Sequence, residues 1–206
     1  RSTSITERGE ATRARIVAAA AELIAVRGVA GTSLDDVRQA TATSKSQLYH
    51  YFCDKADLVR AVIAHQRDAI LREQRLDEAP LDSLAALRSW RYRIVAANRA
   101  TGFTRGCRLG RLAAELADGD VRTREALAEA FAAWRAALAT GLIVMIDRGR
   151  LPAGTDADTL SSILLSAVQG GLLLASVEGR ARPLQDALDQ AVERIAMLAG
   201  QTEDCA

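Results

Sequence analysis

"TSLDDVRQATATSKSQLYHYFCDKADL", residues 32–58, decides how this chain folds. Thr32 or Ser33 can cap a helix whose early acidic residue is Asp35 or Asp36, the pattern in which a hydroxyl and a carboxylate satisfy free N–H groups reciprocally. "QATATS" interrupts that helix near residue 40, and a second short helix starts at Ser44. Asp54 and Asp57 offer one more capping pair, so three helices follow one another closely. Both lysines of the chain, Lys45 and Lys55, and two of its three tyrosines, Tyr49 and Tyr51, fall in this stretch.

Helices over 33–40 and 44–51, with a three- or four-residue turn between them, have the dimensions of a helix-turn-helix. In that motif the second helix enters the DNA major groove and offers its N-terminal side chains to base edges. Ser44, Lys45, Ser46 and Gln47 are donors of the required kind: Gln suits adenine, Lys suits guanine, and Ser suits base or phosphate. Leu48 and Phe52 face inward with Leu34 and Val37, which turns Tyr49 and His50 toward the phosphate backbone. Lys55 opens the next helix, where it can hold a phosphate that sets register without reading sequence. With Thr32 and Ser33 at the preceding helix start, the DNA-contacting set is Thr32, Ser33, Ser44, Lys45, Ser46, Gln47, Tyr49, His50 and Lys55.

Outward from this core the pattern stays helical. Ile16, Ala20, Leu23, Ile24 and Arg27 keep helical spacing over 10–27, and Gly28 ends the run. An amphipathic helix continues through Leu58, Val62 and Ile63 towards residue 76. Pro80 suits the first turn of a helix reaching about residue 100. Further helices are expected over 107–117 and about 120–148, the latter closed by Gly149 and Pro152. Thr155 and Asp158 then cap a helix of some twenty residues, and Pro183 opens the last. No strand-like alternation and no repeat occur, so the fold class is all-α.

The 206 residues are 49% hydrophobic and 26% charged, with net charge +1, so any nucleic-acid contact must be local. No uninterrupted apolar run approaches the roughly 18 residues of a membrane span. "RSTSITERGEATRAR" lacks the apolar stretch of a secretory signal, and the expectation is a cytoplasmic protein without a membrane partner. Cys53, Cys107 and Cys205 have neither disulfide nor metal-ligand spacing. No nucleophile–His–carboxylate set and no phosphate loop stand out. Neither an enzyme nor a metal or cofactor is expected.

From Ala11 to Leu58 the sequence resembles the DNA-binding domain of the TetR family of bacterial transcriptional regulators. The likeness rests on Lys45, the run Leu48-Tyr49-His50-Tyr51-Phe52, and Lys55. It departs from the family at Ala42, where Gly is favoured in the turn, and at Thr43, where an apolar residue is favoured. The resemblance implies a homodimer. It also implies a helix-turn-helix domain over 1–55 with a connecting helix to about 76, and an effector-binding and dimerisation domain over 77–206.

In that second half, Leu184, Leu188, Ala191, Ile195 and Leu198 alternate steps of four and three, a coiled-coil-like seam. With Leu164, Val168, Gly171 and Leu172 of the preceding helix they form the expected dimer interface, Gly170-Gly171 allowing close approach; the alternative is a core helix pair within one subunit. Bulky side chains are scarce there. Trp90, Ile94, Asn98, Phe103, Cys107, Arg111, Phe131, Trp134 and Gln169 are the candidate lining of a pocket for a small apolar or aromatic effector. The expected function is a repressor released from a palindromic operator by that effector. An alternative is a thiol switch at Cys107, which a helix N-terminus flanked by Arg105 and Arg108 would activate by lowering its pKa.

Overall fold

The computed structural model describes residues 7–104 and 106–203, with side chains to residue 200. Among the described residues there are only helices and no strands: α1 Glu7–Arg27, α2 Leu34–Thr41, α3 Lys45–Tyr51, α4 Lys55–Glu73, α5 Leu84–Arg99, α6 Arg108–Leu116, α7 Val121–Asp147, α8 Ala157–Glu178 and α9 Arg182–Glu203. Packing divides the chain into two compact units, residues 1–68 with 111–130, and residues 69–110 with 131–206. This differs from a boundary near residue 76, because 111–130 is drawn into the first unit. Its Glu115 carboxylate accepts from the Val29 and Ala30 backbone N–H groups at 2.9 and 2.7 Å, and its Asp120 lies 4.0 Å from Arg60.

In the first unit α1 buries Ile16, Val17, Ala20, Ala21 and Ile24 along one face and stops at Gly28, whose φ of 72° is left-handed. Ser33 caps α2 and Asp36 completes the reciprocal box; Ser44 and Gln47 do the same for α3. The Ser33 hydroxyl, then its N–H, hold the Asp36 carboxyl below its ordinary value. A depressed carboxyl stabilises the fold above its unfolded pKa, and that contribution fades as pH falls through the folded one. Asp54 caps α4 through the Asp57 N–H at 2.7 Å, while Asp57 accepts from Cys53 N–H at 3.1 Å.

The turn between α2 and α3 explains both departures from the family pattern. Ala42 sits at φ 49°, ψ 35°, the left-handed conformation that Gly adopts freely. Thr43 is buried, and its hydroxyl meets the buried Thr41 hydroxyl at 2.7 Å, while Thr41 donates to Val37 O at 2.8 Å. The Arg15 guanidinium donates to the Thr41 carbonyl. A hydroxyl pair therefore replaces an apolar contact without leaving a polar group unpaired. Ala42→Gly is expected to raise stability by about 0.5–1 kcal/mol, the strain relieved exceeding the entropy that Gly adds to the unfolded chain. An unchanged or lower urea midpoint would contradict this account.

The second unit is a helical bundle of α5, the later part of α7, α8 and α9. Trp90, Leu87 and Ile94 of α5, Trp134, Leu138, Leu142 and Met145 of α7, Leu164 and Val168 of α8, and Leu184, Leu188 and Ile195 of α9 form its core. By length and composition α7 and α8 would suit a membrane, but both direct a continuous apolar stripe into the protein. Pro80 does not open α5: the helix begins at Leu84, where the Ser83 hydroxyl accepts from Ala86 N–H. Asp156, between the expected Thr155 and Asp158, caps α8 through the Asp158 and Thr159 N–H groups.

The α8–α9 seam needs correction. Leu164, Val168, Gly171, Leu172, Leu184, Leu188, Ala191 and Ile195 are buried within the chain, and Leu198 is half-buried. The seam zips α8 to α9 within the chain. The large apolar residues that these helices expose are Leu173, Leu174, Val177 and Met197.

Candidate nucleic-acid interface and ligand cavity

α3 is fastened to the first unit by Leu48 and, at its C-cap, Phe52, each 1% exposed, with Val37 beneath them. Arg13 lies over the Phe52 ring at 5.2 Å. With those two positions buried, Ser44, Lys45, Ser46, Gln47, Tyr49 and His50 are exposed, and Tyr51 and Lys55 are half-exposed. Lys45 Nζ lies 6.0 Å from the Tyr49 ring centroid, so one cation and one phenol share a surface.

The capping boxes modify the expected roles. Gln47 Oε1 accepts from Ser44 N–H at 3.1 Å, which commits its oxygen to the cap and leaves its amide nitrogen as the outward group. The two-point contact that Gln makes with adenine therefore requires the box to open. Ser44 Oγ accepts from Gln47 N–H, and Ser33 Oγ is engaged with Asp36. Thr32 drops out of the contacting set: it is 3% exposed, with its hydroxyl donating to Gly28 O at 2.8 Å.

The second unit holds a cavity of about 310 Å³, at the small end of ligand pockets, lined by Ile70, Glu73, Gln74, Ala97, Asn98, Thr101, Gly106, Cys107, Arg108, Trp134 and Leu172. Of the sequence-derived lining, Asn98, Cys107 and Trp134 belong to it. Trp90, Ile94 and Phe103 are buried core residues, Phe131 is half-buried, and Arg111 is exposed outside this lining. Gln169 stands behind Cys107, its Nε2 3.4 Å from the sulfur. Sequence reasoning missed Gln74, whose Oε1 accepts from both Trp90 Nε1 at 3.0 Å and Trp134 Nε1 at 3.1 Å. It also missed the ion pair of Arg108 with Glu73. Among the described residues no cluster of His, Cys, Asp or Glu could hold a metal.

The surroundings of Cys107 work against an activated thiol. Burial pushes its pKa up from the ordinary value and outweighs the opposing Gly110 N–H, the Gln169 amide and the Arg108 charge. Arg105 lies outside the described residues, as does Cys205. Since the thiolate is the nucleophile, N-ethylmaleimide at pH 7.5 is expected to label exposed Cys53 well before Cys107. Mass mapping of the labelled protein checks this, and faster labelling at Cys107 would refute it.

An all-helical chain with a helix-turn-helix whose second helix turns lysine, hydroxyls and amide outward defines a DNA-binding protein of the regulator class. The family model "Bacterial regulatory proteins, tetR family" matches residues 16–62, and "Tetracyclin repressor-like, C-terminal domain" matches residues 80–191. A helix-turn-helix-type transcriptional regulator from the lacX 3′ region of Lactococcus lactis subsp. lactis is 32% identical over 180 residues, covering 81% of this chain and 84% of that protein. The crystal structure of a regulatory protein TetR from Rhodobacter sphaeroides superposes with a TM-score of 0.72 at 28% identity, covering 87% of this chain and 96% of the other. A cysteine mutant of the TetR-family regulator CifR, in complex with 26-base-pair operator DNA, shares the fold at 23% identity and a TM-score of 0.69, covering 94% and 98%. The chain belongs to the TetR family of DNA-binding transcriptional regulators.

Proposed function

We propose that this protein is a homodimeric repressor that leaves a near-palindromic operator when a small molecule fills the cavity of its second unit. The observation that carries the reading is the outward face of α3, with Lys45, Ser46, Tyr49 and His50 exposed while Leu48 is buried. CifR, which shares the fold, forms a complex with 26-base-pair operator DNA, and an operator as the partner of this chain is in keeping with that. Leu173, Leu174, Val177 and Met197 supply an apolar face for a second copy, and two copies would read two half-sites about one helical turn apart. α4 begins beside α3 and ends at Glu73 in the cavity wall, while α6 begins there with Arg108. A ligand that favours one arrangement of these helix ends shifts the DNA-binding equilibrium by its differential affinity.

The test is binding of the purified protein to the duplex upstream of its own gene, titrated with salt and paired with sedimentation. Wild type should bind with a steep salt dependence. Lys45→Ala should weaken binding about tenfold and, where Lys45 meets phosphate, lower the salt slope by about one. Val177→Asp should produce a folded monomer that no longer binds tightly. A dimeric Val177→Asp would remove the proposed face, and failure of wild type against pooled genomic fragments as well would remove the operator reading.

A further inference from the structure

The chemical class of the effector can be read from Gln74, given the cavity reading above on which this inference rests. An indole N–H only donates, so the Trp90 and Trp134 bonds, at 3.0 and 3.1 Å, fix which way the Gln74 amide faces. Its oxygen points to the two rings, and both of its lone pairs are taken. The amide nitrogen must point away from them, and its two hydrogens have no acceptor among the described residues. Gln74 itself lines the cavity, where Trp134, Ile70, Ala97 and Leu172 supply apolar wall and Glu73, Asn98, Thr101 and Arg108 supply polar wall. Two donors on the carbonyl polarise the amide and strengthen the N–H groups on its other end. An ordinary glutamine could rotate to offer donor or acceptor, but this one is held as a donor.

We infer that the effector is a compact, largely apolar molecule carrying a carbonyl-type oxygen that accepts a hydrogen bond from Gln74 Nε2. A hydrocarbon of the same shape would fill the apolar wall yet strip water from the amide without replacing its acceptor. At Gln74, therefore, a ligand with an acceptor oxygen is favoured over a hydrocarbon of the same shape.

The chain has two tryptophans, Trp90 and Trp134, so the ¹⁵N-labelled full-length protein gives two indole N–H signals, both from rings bonded to Gln74. Two matched pairs of probes serve: acetophenone against ethylbenzene, and cyclohexanone against methylenecyclohexane. The ketones are expected to shift both indole signals and the Gln74 side-chain NH₂ signals, binding about tenfold more tightly than their hydrocarbon partners, the ratio one neutral hydrogen bond supplies. Gln74→Glu keeps an oxygen for the indoles but loses the donor, and it should erase that preference while retaining two dispersed indole signals. Equal binding of ketone and hydrocarbon by wild type would overturn the acceptor requirement and leave the cavity reading standing. No movement of either indole with any probe would overturn both. A ketone preference that survives in folded Gln74→Glu would take the donor role away from Gln74, and the wild-type pairs decide the acceptor claim even if that variant does not fold.

Discussion

Gly141→Ala is expected to destabilise the C-terminal bundle by about 2–3 kcal/mol, although alanine is normally the better helix former by about 1 kcal/mol. Gly141 lies inside α7, and a Cβ there would sit 2.5 Å from Leu81 C and N and 2.6 Å from Leu81 O. All three are backbone atoms of a buried residue, so no flexible side chain can give way. Either the segment before α5 must shift or α7 must bend, and both disturb the packing of Leu81 and Leu142. Gly170 provides the control, because nothing lies within 4 Å of the Cβ it lacks. Within the chain nothing opposes Gly170→Ala, which should stabilise the helix by about 0.5–1 kcal/mol through propensity. Gly171 lies between the two cases, its missing Cβ 2.8 Å from Leu184 Cα. Urea midpoints of wild type and the three variants should fall in the order Gly170→Ala, wild type, Gly171→Ala and Gly141→Ala; a midpoint for Gly141→Ala at or above wild type would sink the argument.

These glycines also mark how far sequence could be read. The pair Gly170-Gly171 signals a close approach, but only the backbone shows that one of the two serves it. Caps and periodicity place the helix starts near residues 33, 44 and 120 within a residue or two, because hydroxyls and carboxylates at N-caps act locally. The outward face of α3 is legible for the same reason: Leu48 and Phe52, four apart, fix which side is inside. The α8–α9 seam is legible only as a seam. Leu184, Leu188, Ala191 and Ile195 declare a packed stripe, and a stripe is equally apolar whether its partner is the next helix or another copy. Thr32 looks like a surface hydroxyl until the carbonyl of Gly28 is seen above it. Gln74 is a lone amide after a helix end, and its meaning depends on two indoles, 16 and 60 residues away, meeting at one oxygen. Spacing rules describe one element at a time, so such convergence escapes them.

Glu115→Ala is expected to lower the stability of the N-terminal unit by about 2 kcal/mol and to unlock the turn that leads into α2. The Glu115 carboxylate accepts from Val29 N–H at 2.9 Å and Ala30 N–H at 2.7 Å. The left-handed Gly28 turns these successive N–H groups to one side, and its missing Cβ leaves room for the carboxylate, which would otherwise lie 3.2 Å away. Charge-assisted bonds of this kind are worth roughly 1.5–3 kcal/mol each, and the exposure of Ala30 reduces the second. Removing the side chain leaves the N–H of buried Val29 without an acceptor, whereas Ala30 N–H can turn to water. Glu115→Gln keeps one acceptor oxygen and should recover about half of the loss. Hydrogen exchange should show the Val29 and Ala30 amides accelerating in Glu115→Ala while those in the middle of α1 slow or quicken only with global stability. If those two amides exchange as in wild type, the carboxylate is spectator to a turn that Gly28 alone maintains. If they accelerate together, the far end of α6 is what holds the entry to the helix-turn-helix in place.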